Sequence, residues 1–224
     1  DSVRKIGDNA FEGCISLQEV RLPNCISKIG DFVFNECTSL RNIIIPNSVK
    51  SIGAYAFDEC HSLESVSMPD SLTTLGHTSF HNCTSLQQLE IPGSLLVISS
   101  NAFEGCNNLK SVVIGEGVEI IDSFAFNACS SLEKVSIPDT VGQINNYAFD
   151  ECFALNDVEI EEEAVVDDDT FSENVVVRRR KGTEAFKQAK LQKLKEAEIK
   201  AEEAKIKAEE AKRLEEARRR AEEE

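Results

Sequence analysis

The chain has 224 residues, of which 41% are hydrophobic and 29% charged, and a formal net charge of −16. That length buries a sizeable core, and no run of about 18 apolar residues is present, so no segment reads as a membrane-spanning helix. Charge is unevenly placed, with 8 basic and 28 acidic residues through Val177 and 16 basic and 12 acidic from Arg178 onward, and the acidic majority repels phosphate backbones, which argues against nucleic acid as a partner.

Seven cysteines, Cys14, Cys37, Cys60, Cys83, Cys106, Cys129 and Cys152, recur every 23 residues, so one unit is written seven times. Asp1-Ser2-Val3 falls in phase with Asp70-Ser71-Leu72, and the chain is expected to open inside a repeat of a longer protein. Within each unit the segment A-F-x-x-C predicts one helical or 3₁₀ turn with its Phe and Cys inward. A leucine follows three residues after each cysteine, then apolar residues two apart, such as Val66 and Met68, which predict a short strand with those side chains inside. Pro23, Pro46, Pro69, Pro92 and Pro138 end the strand where a missing N–H costs least. A second apolar pair, Val49 and Ile52 in one unit, precedes the next turn. No 23-residue coil can bury its own apolar face, but stacked coils can, row over row about 4.8 Å apart.

These units resemble the BspA-like, or treponemal-type, leucine-rich repeats over about residues 1 to 190. The resemblance implies an α/β leucine-rich-repeat solenoid of 23-residue coils, curved, with a parallel sheet on one side. It also implies a protein ligand, with no cofactor and no catalytic site to carry over, and often a place on the surface of bacteria or protists as an adhesin or interaction protein. An intracellular scaffold in the cytoplasm is the alternative, favoured by the reduced look of the cysteine row.

The eighth coil is degenerate: Phe171 comes 22 residues after Phe149, Asn174 takes the cysteine position, and Val175–Val177 followed by Arg178–Gly182 reads as a closing strand and turn. Arg178, Arg179, Arg180 and Lys181 are expected to offset the acidic clusters at 161–163 and 167–169. The solenoid with its cap is thus placed at 1–182. Residues 183–224 are expected to form a second unit, a long charged α-helix begun by Thr183, either a single helix or a weak coiled coil. Pairs such as Glu203 with Lys207 support a lone helix, while the seam Leu194, Ala197, Ala201, Ala204, Ala208, Ala211 has heptad spacing and allows self-association through residues 184–224.

One inward cysteine per coil is a small buried hydrophobe rather than a disulfide or zinc ligand, and Cys25, outside the row, is expected as an exposed turn thiol. His77, His81 and Cys83, with His61 a coil earlier, have metal-like spacing, but Cys83 belongs to the inward row and no carboxylate completes the set. What remains is contact surface. Strand alternation turns Ile44 and Val113 outward. Five residues before the cysteine, Phe32 and Tyr55 occupy adjacent coils, as do Phe124 and Tyr147; Val97 and Ile120 stack in an otherwise polar row. These eight residues are the candidate protein-binding positions, with sealing of the turn as the other reading of the last six.

Overall fold

In a computed structural model, which describes residues 2–184, 187–188, 191–192 and 195–196, each 23-residue unit closes one coil of a parallel β-solenoid. The chain divides into two compact units, Asp1–Lys181 and Gly182–Glu224. Strands are numbered in chain order. The expected strands form β2 (Asn42–Ile44), β4 (Ser65–Ser67), β6 (Gln88–Ile91), β8 (Ser111–Ile114), β10 (Lys134–Ser136), β12 (Asp157–Glu161) and β14 (Val176–Arg180). A second row of two-residue strands forms from the second apolar pair: β1 (Lys28–Ile29), β3 (Ser51–Ile52), β5 (Thr74–Leu75), β7 (Val97–Ile98), β9 (Ile120–Ile121), β11 (Gln143–Ile144) and β13 (Val165–Val166). Pairing is parallel and follows the repeat, as in Asn42 with Ser65 and Ser51 with Thr74. Identical positions therefore lie over one another.

The interior is a pile of like layers. Neighbouring phenylalanine rings from Phe11 to Phe171 lie 4.8–5.4 Å apart and within 14° of parallel. Six of these rings, Phe34 through Phe149, are fully buried, with the leucine and cysteine rows beside them. Such offset stacking adds to the area term for each ring.

Three expectations are corrected. The A-F-x-x-C segment is not helical, so the solenoid is all-β rather than α/β. Residues five and one before each cysteine have φ between 54° and 72°, a left-handed conformation that interrupts any helix. Amides that a helix would turn along its own axis point to the next coil instead: Phe32, Phe34 and Glu36 N–H donate to the carbonyls of Ala54, Ala56 and Asp58 at 3.0, 2.8 and 2.9 Å. The long C-terminal α-helix is likewise unsupported, because past Thr183 only residues 184, 187–188, 191–192 and 195–196 are described, in helical backbone, and they define no continuous helical element. Past Gly182 a bond from Lys187 N–H to the Thr183 carbonyl closes one turn, and the heptad seam lies outside the described residues. Self-association of 184–224 through a helix loses its support with it.

The third correction concerns the last coil. The strand runs on through Val176–Arg180 where a turn was expected after Val177, pairing in register with β12. Its arginines meet Asp157 and Asp139 and main-chain carbonyls rather than the side chains of the two acidic clusters.

Candidate protein-binding surface

Alternation along β2 to β10 sends one set of side chains into the core and the other to solvent. The ten outward positions are Asn42, Ile44, Ser65, Ser67, Gln88, Glu90, Ser111, Val113, Lys134 and Ser136, which hold one acid and one base on a strongly acidic solenoid. Ile44 is 75% and Val113 50% exposed, three strands apart and so about 14 Å from each other at sheet spacing. A depression of about 450 Å³ beside Ile44 is lined by Glu19, Arg21, Leu22, Asn42 and Pro46. Another, of about 270 Å³, runs from Val66 and Met68 across Gln88 and Glu90 to Val113.

At the turn edge the aromatic pairs are brought together as adjacent rings. Phe32 and Tyr55 stack at 4.7 Å with His77 edge-on to Tyr55 at 5.0 Å, and Phe124 and Tyr147 stack at 4.9 Å. Three of the four are half-buried by this stacking, while Tyr147 remains exposed and donates its hydroxyl to Asp169 at 3.3 Å. The Asp169 charge pushes the Tyr147 phenol above its ordinary range. Val97 and Ile120 pair directly between β7 and β9 and are half-buried, with Leu96 exposed beside them. Two apolar residues that sequence reasoning passed over, Ile15 and Phe153, are 61% and 66% exposed. Each follows a cysteine directly, where Thr38, His61, Thr84, Asn107 and Ser130 stand in the intervening coils, and that contrast was the available signal.

The interior has little chemistry to offer. From Cys37 to Cys152 each repeat cysteine donates its S–H to the carbonyl of the phenylalanine 26 residues earlier, at 3.1–3.3 Å. Burial raises the Cys37 thiol to about 11 and that of Cys152 to about 12, and drives Cys60, Cys83 and Cys129 up as well. Protonated thiols of this kind are poor nucleophiles and poor metal ligands. The histidine cluster does not converge: Cys83 faces the core, His81 pairs with Asp58, His77 meets Thr78, and His61 meets the Asn82 carbonyl. Among the described residues no group of three or more His, Cys, Asp or Glu could hold an ion. Cys25 is half-buried rather than exposed, with its sulfur 2.9 Å from the Val3 carbonyl.

Coils of 23 residues, a phenylalanine and cysteine turn and a parallel sheet of short strands together define a leucine-rich-repeat solenoid. The family model described as BspA type leucine rich repeat region matches residues 1–110, 50–178 and 96–206, and the chain belongs to that family. Among solved structures it is similar to a leucine-rich repeat protein of T. pallidum, at 33% identity and a TM-score of 0.65, covering 68% of this chain and 72% of that one. A leucine-rich repeat protein from Bacteroides ovatus matches at 25% identity and a TM-score of 0.57, over 79% of this chain and 59% of that one. A leucine rich cell surface protein from Faecalibacterium prausnitzii matches at 29% identity and a TM-score of 0.54, over 71% and 58%. This chain thus spans less than two thirds of the latter two. Among curated proteins none matches. Leucine-rich repeat proteins are typically interaction or surface proteins, and no helix among the described residues is long and apolar enough to cross a membrane.

Proposed function

We infer that this chain is a non-enzymatic recognition module, a surface protein that binds a protein ligand through the outward face of β2 to β10. One observation carries the reading: on a chain of net charge −16, that face holds a nearly uncharged strip with Ile44 and Val113 exposed in it. Depletion of charge at the centre of a patch is the compositional mark of an interface core. The likeness to a cell surface protein supports the location. The aromatic pairs act as seals of the turn edge in this reading, since their rings spend their faces on each other.

The test uses the full chain as bait with Ile44→Asp and Val113→Asp combined, against Leu96→Asp and Ile15→Asp combined, exposed positions off this face, as a control of equal charge. Partners captured by the wild type are expected to be lost with the face variant and kept with the control. Loss with the control alone would move the site to the turn edge. The second reading, an intracellular scaffold docking through the same solenoid, is favoured by the eight free thiols. Protease treatment of intact cells separates the two, since only a surface protein is shaved.

A further inference from the structure

One boundary between coils is unlike the others among the described residues. β4 is not hydrogen-bonded to β6, nor β5 to β7, so both sheets are open between the coil of Cys60 and the coil of Cys83. Between β10 and β12 only one sheet is open, because β11 still pairs with β13. The turn side stays joined: Tyr55, Phe57 and Glu59 N–H donate to the His77, Ser79 and His81 carbonyls at 3.2, 2.8 and 2.9 Å. Phe57 and Phe80 stack at 4.8 Å. On the sheet side, among the described residues, only side-chain hydroxyls bridge the two coils, Ser94 to the Leu72 carbonyl and Ser99 to the Leu75 carbonyl, and a side without backbone bonds facing a backbone-bonded side is the geometry of a hinge.

The sequence shows why the second sheet opens here. After the second-sheet residue the coils carry Gly30, Gly53 and Gly76, and then Ser99, Asp122 and Asn145. A Cβ on Gly53 would lie 2.6 Å from the Gly30 carbonyl carbon, and one on Gly76 2.3 Å from that of Gly53. Ser99 sets the first Cβ of the row over a glycine. Gly53 and Gly76 N–H reach the Ile29 and Ile52 carbonyls at 2.9 and 2.8 Å, but the Leu75 carbonyl is met by the Ser99 hydroxyl at 2.6 Å. One coil on, Asp122 N–H reaches the Ile98 carbonyl at 2.9 Å and the backbone pattern resumes.

Across this boundary His81 Nδ1 lies 2.7 Å from Asp58 Oδ1, with side-chain exposures of 27% and 16%. The charged groups around His81 are all acidic: Asp58 and Glu59 from the coil before and Glu104 from the coil after. His61 Nδ1 to the Asn82 carbonyl and the Thr84 hydroxyl to the His61 carbonyl cross beside it, at 3.0 and 3.3 Å.

We propose that the boundary between the Cys60 and Cys83 coils is a hinge that pivots on its turn side, with the Asp58–His81 pair as the clasp that ties the two coils at that pivot. The solenoid then unfolds as two cooperative parts, residues 2–75 and 77–181, and the clasp loosens as His81 loses its proton. The Asp58 hydrogen bond raises the His81 imidazole above its ordinary 6.5 against the opposing effect of burial. A raised folded-state value means that the clasp contributes fully at pH below the unfolded value and is lost as pH rises through the folded one. The depression between Val66 and Val113 straddles the hinge, so opening reshapes the sheet face; the hinge itself does not depend on what that face binds.

The experiment is hydrogen-exchange mass spectrometry on the full chain along a urea series, at about pH 5.5 and about pH 8.5. Peptides from the two parts are expected to lose protection at separate urea midpoints, with the gap wider at the higher pH by roughly 0.5 M. His81→Gln, and independently Asp58→Asn, should show the wide gap at both pH values. Ser99→Gly, which frees the Ser99 amide position to approach Leu75, should draw the midpoints together. A single shared midpoint at both pH values would overturn the hinge. A gap that ignores both pH and the two clasp variants would overturn the clasp, and the proposal with it.

Discussion

A cysteine serves the repeat because its sulfur fills a narrow layer and its weak S–H still finds an acceptor. The Phe57 carbonyl accepts both the Cys60 amide of its own coil and the Cys83 thiol of the next, so the thiol uses a lone pair that would otherwise stay idle. Ser79 shows the opposite case. It takes a position held by Ala56, Ala102, Ala125 and Ala148, it is fully buried, and its hydroxyl has no partner. Leaving a buried hydroxyl unpaired costs about 1–3 kcal/mol. Ser79→Ala is therefore expected to raise the stability of its coil by about 1 kcal/mol in urea unfolding, and a loss would mean that the hydroxyl is bonded. At this scale the inward rows were legible because a fixed period exposes them. The turn was not: only Asn9, Asn82, Asn101, Gly13 and Gly105 advertise left-handed backbone, whereas Phe32, Tyr55, Phe124 and Tyr147 adopt it with no local signature.

Elements two or three residues long are set by their neighbours rather than by their own sequence. The second sheet escaped sequence reading for this reason, since Ser51–Ile52 or Thr74–Leu75 is too short to show alternation and pairs only because the equivalent residues of an adjacent coil lie alongside. Outward placement of Ile44 and Val113 was legible from the longer strands, while the stacking of the aromatic pairs on each other depends on coil spacing and was not. Close stacking also grades the glycines. Gly53→Ala would press its Cβ to 2.6 Å from the Gly30 carbonyl carbon and 2.7 Å from the Asp31 nitrogen, both main chain, and should cost about 1–3 kcal/mol as overpacking. Gly142→Ala meets nothing within 4 Å and is expected to be neutral or stabilising by about 0.4–1 kcal/mol through the unfolded chain. Thermal unfolding of the two variants checks the order, and equal effects would mean that the coils give way freely at Gly53.

A stack of coils is stabilised layer by layer, so its last layer must be held by something other than a following coil. Arg180 supplies this. Its Nε reaches Asp139 at 2.8 Å, and its guanidinium donates to the Glu159 carbonyl at 2.9 Å and to the Ile137 carbonyl, which ties β14 past β12 to the coil before it. Asp139 is only 8% exposed, so the carboxylate depends on the partners it has. Arg178 instead meets Asp157 at 3.3 Å with both side chains more than half exposed, an arrangement of little energetic weight. The two arginines, two residues apart on one strand, should therefore behave differently. Arg180→Gln is expected to destabilise the last coil by about 1–3 kcal/mol, read as roughly tenfold or greater acceleration of amide exchange in residues 157–180. Arg178→Gln should stay within about 0.5 kcal/mol. Because the Arg180 contacts reach no further than the coil of Asp139, protection of β2, β4 and their turns should be unchanged by Arg180→Gln; a parallel loss there would mean that stability is shared along the whole stack and that the layer-by-layer description of this solenoid is wrong.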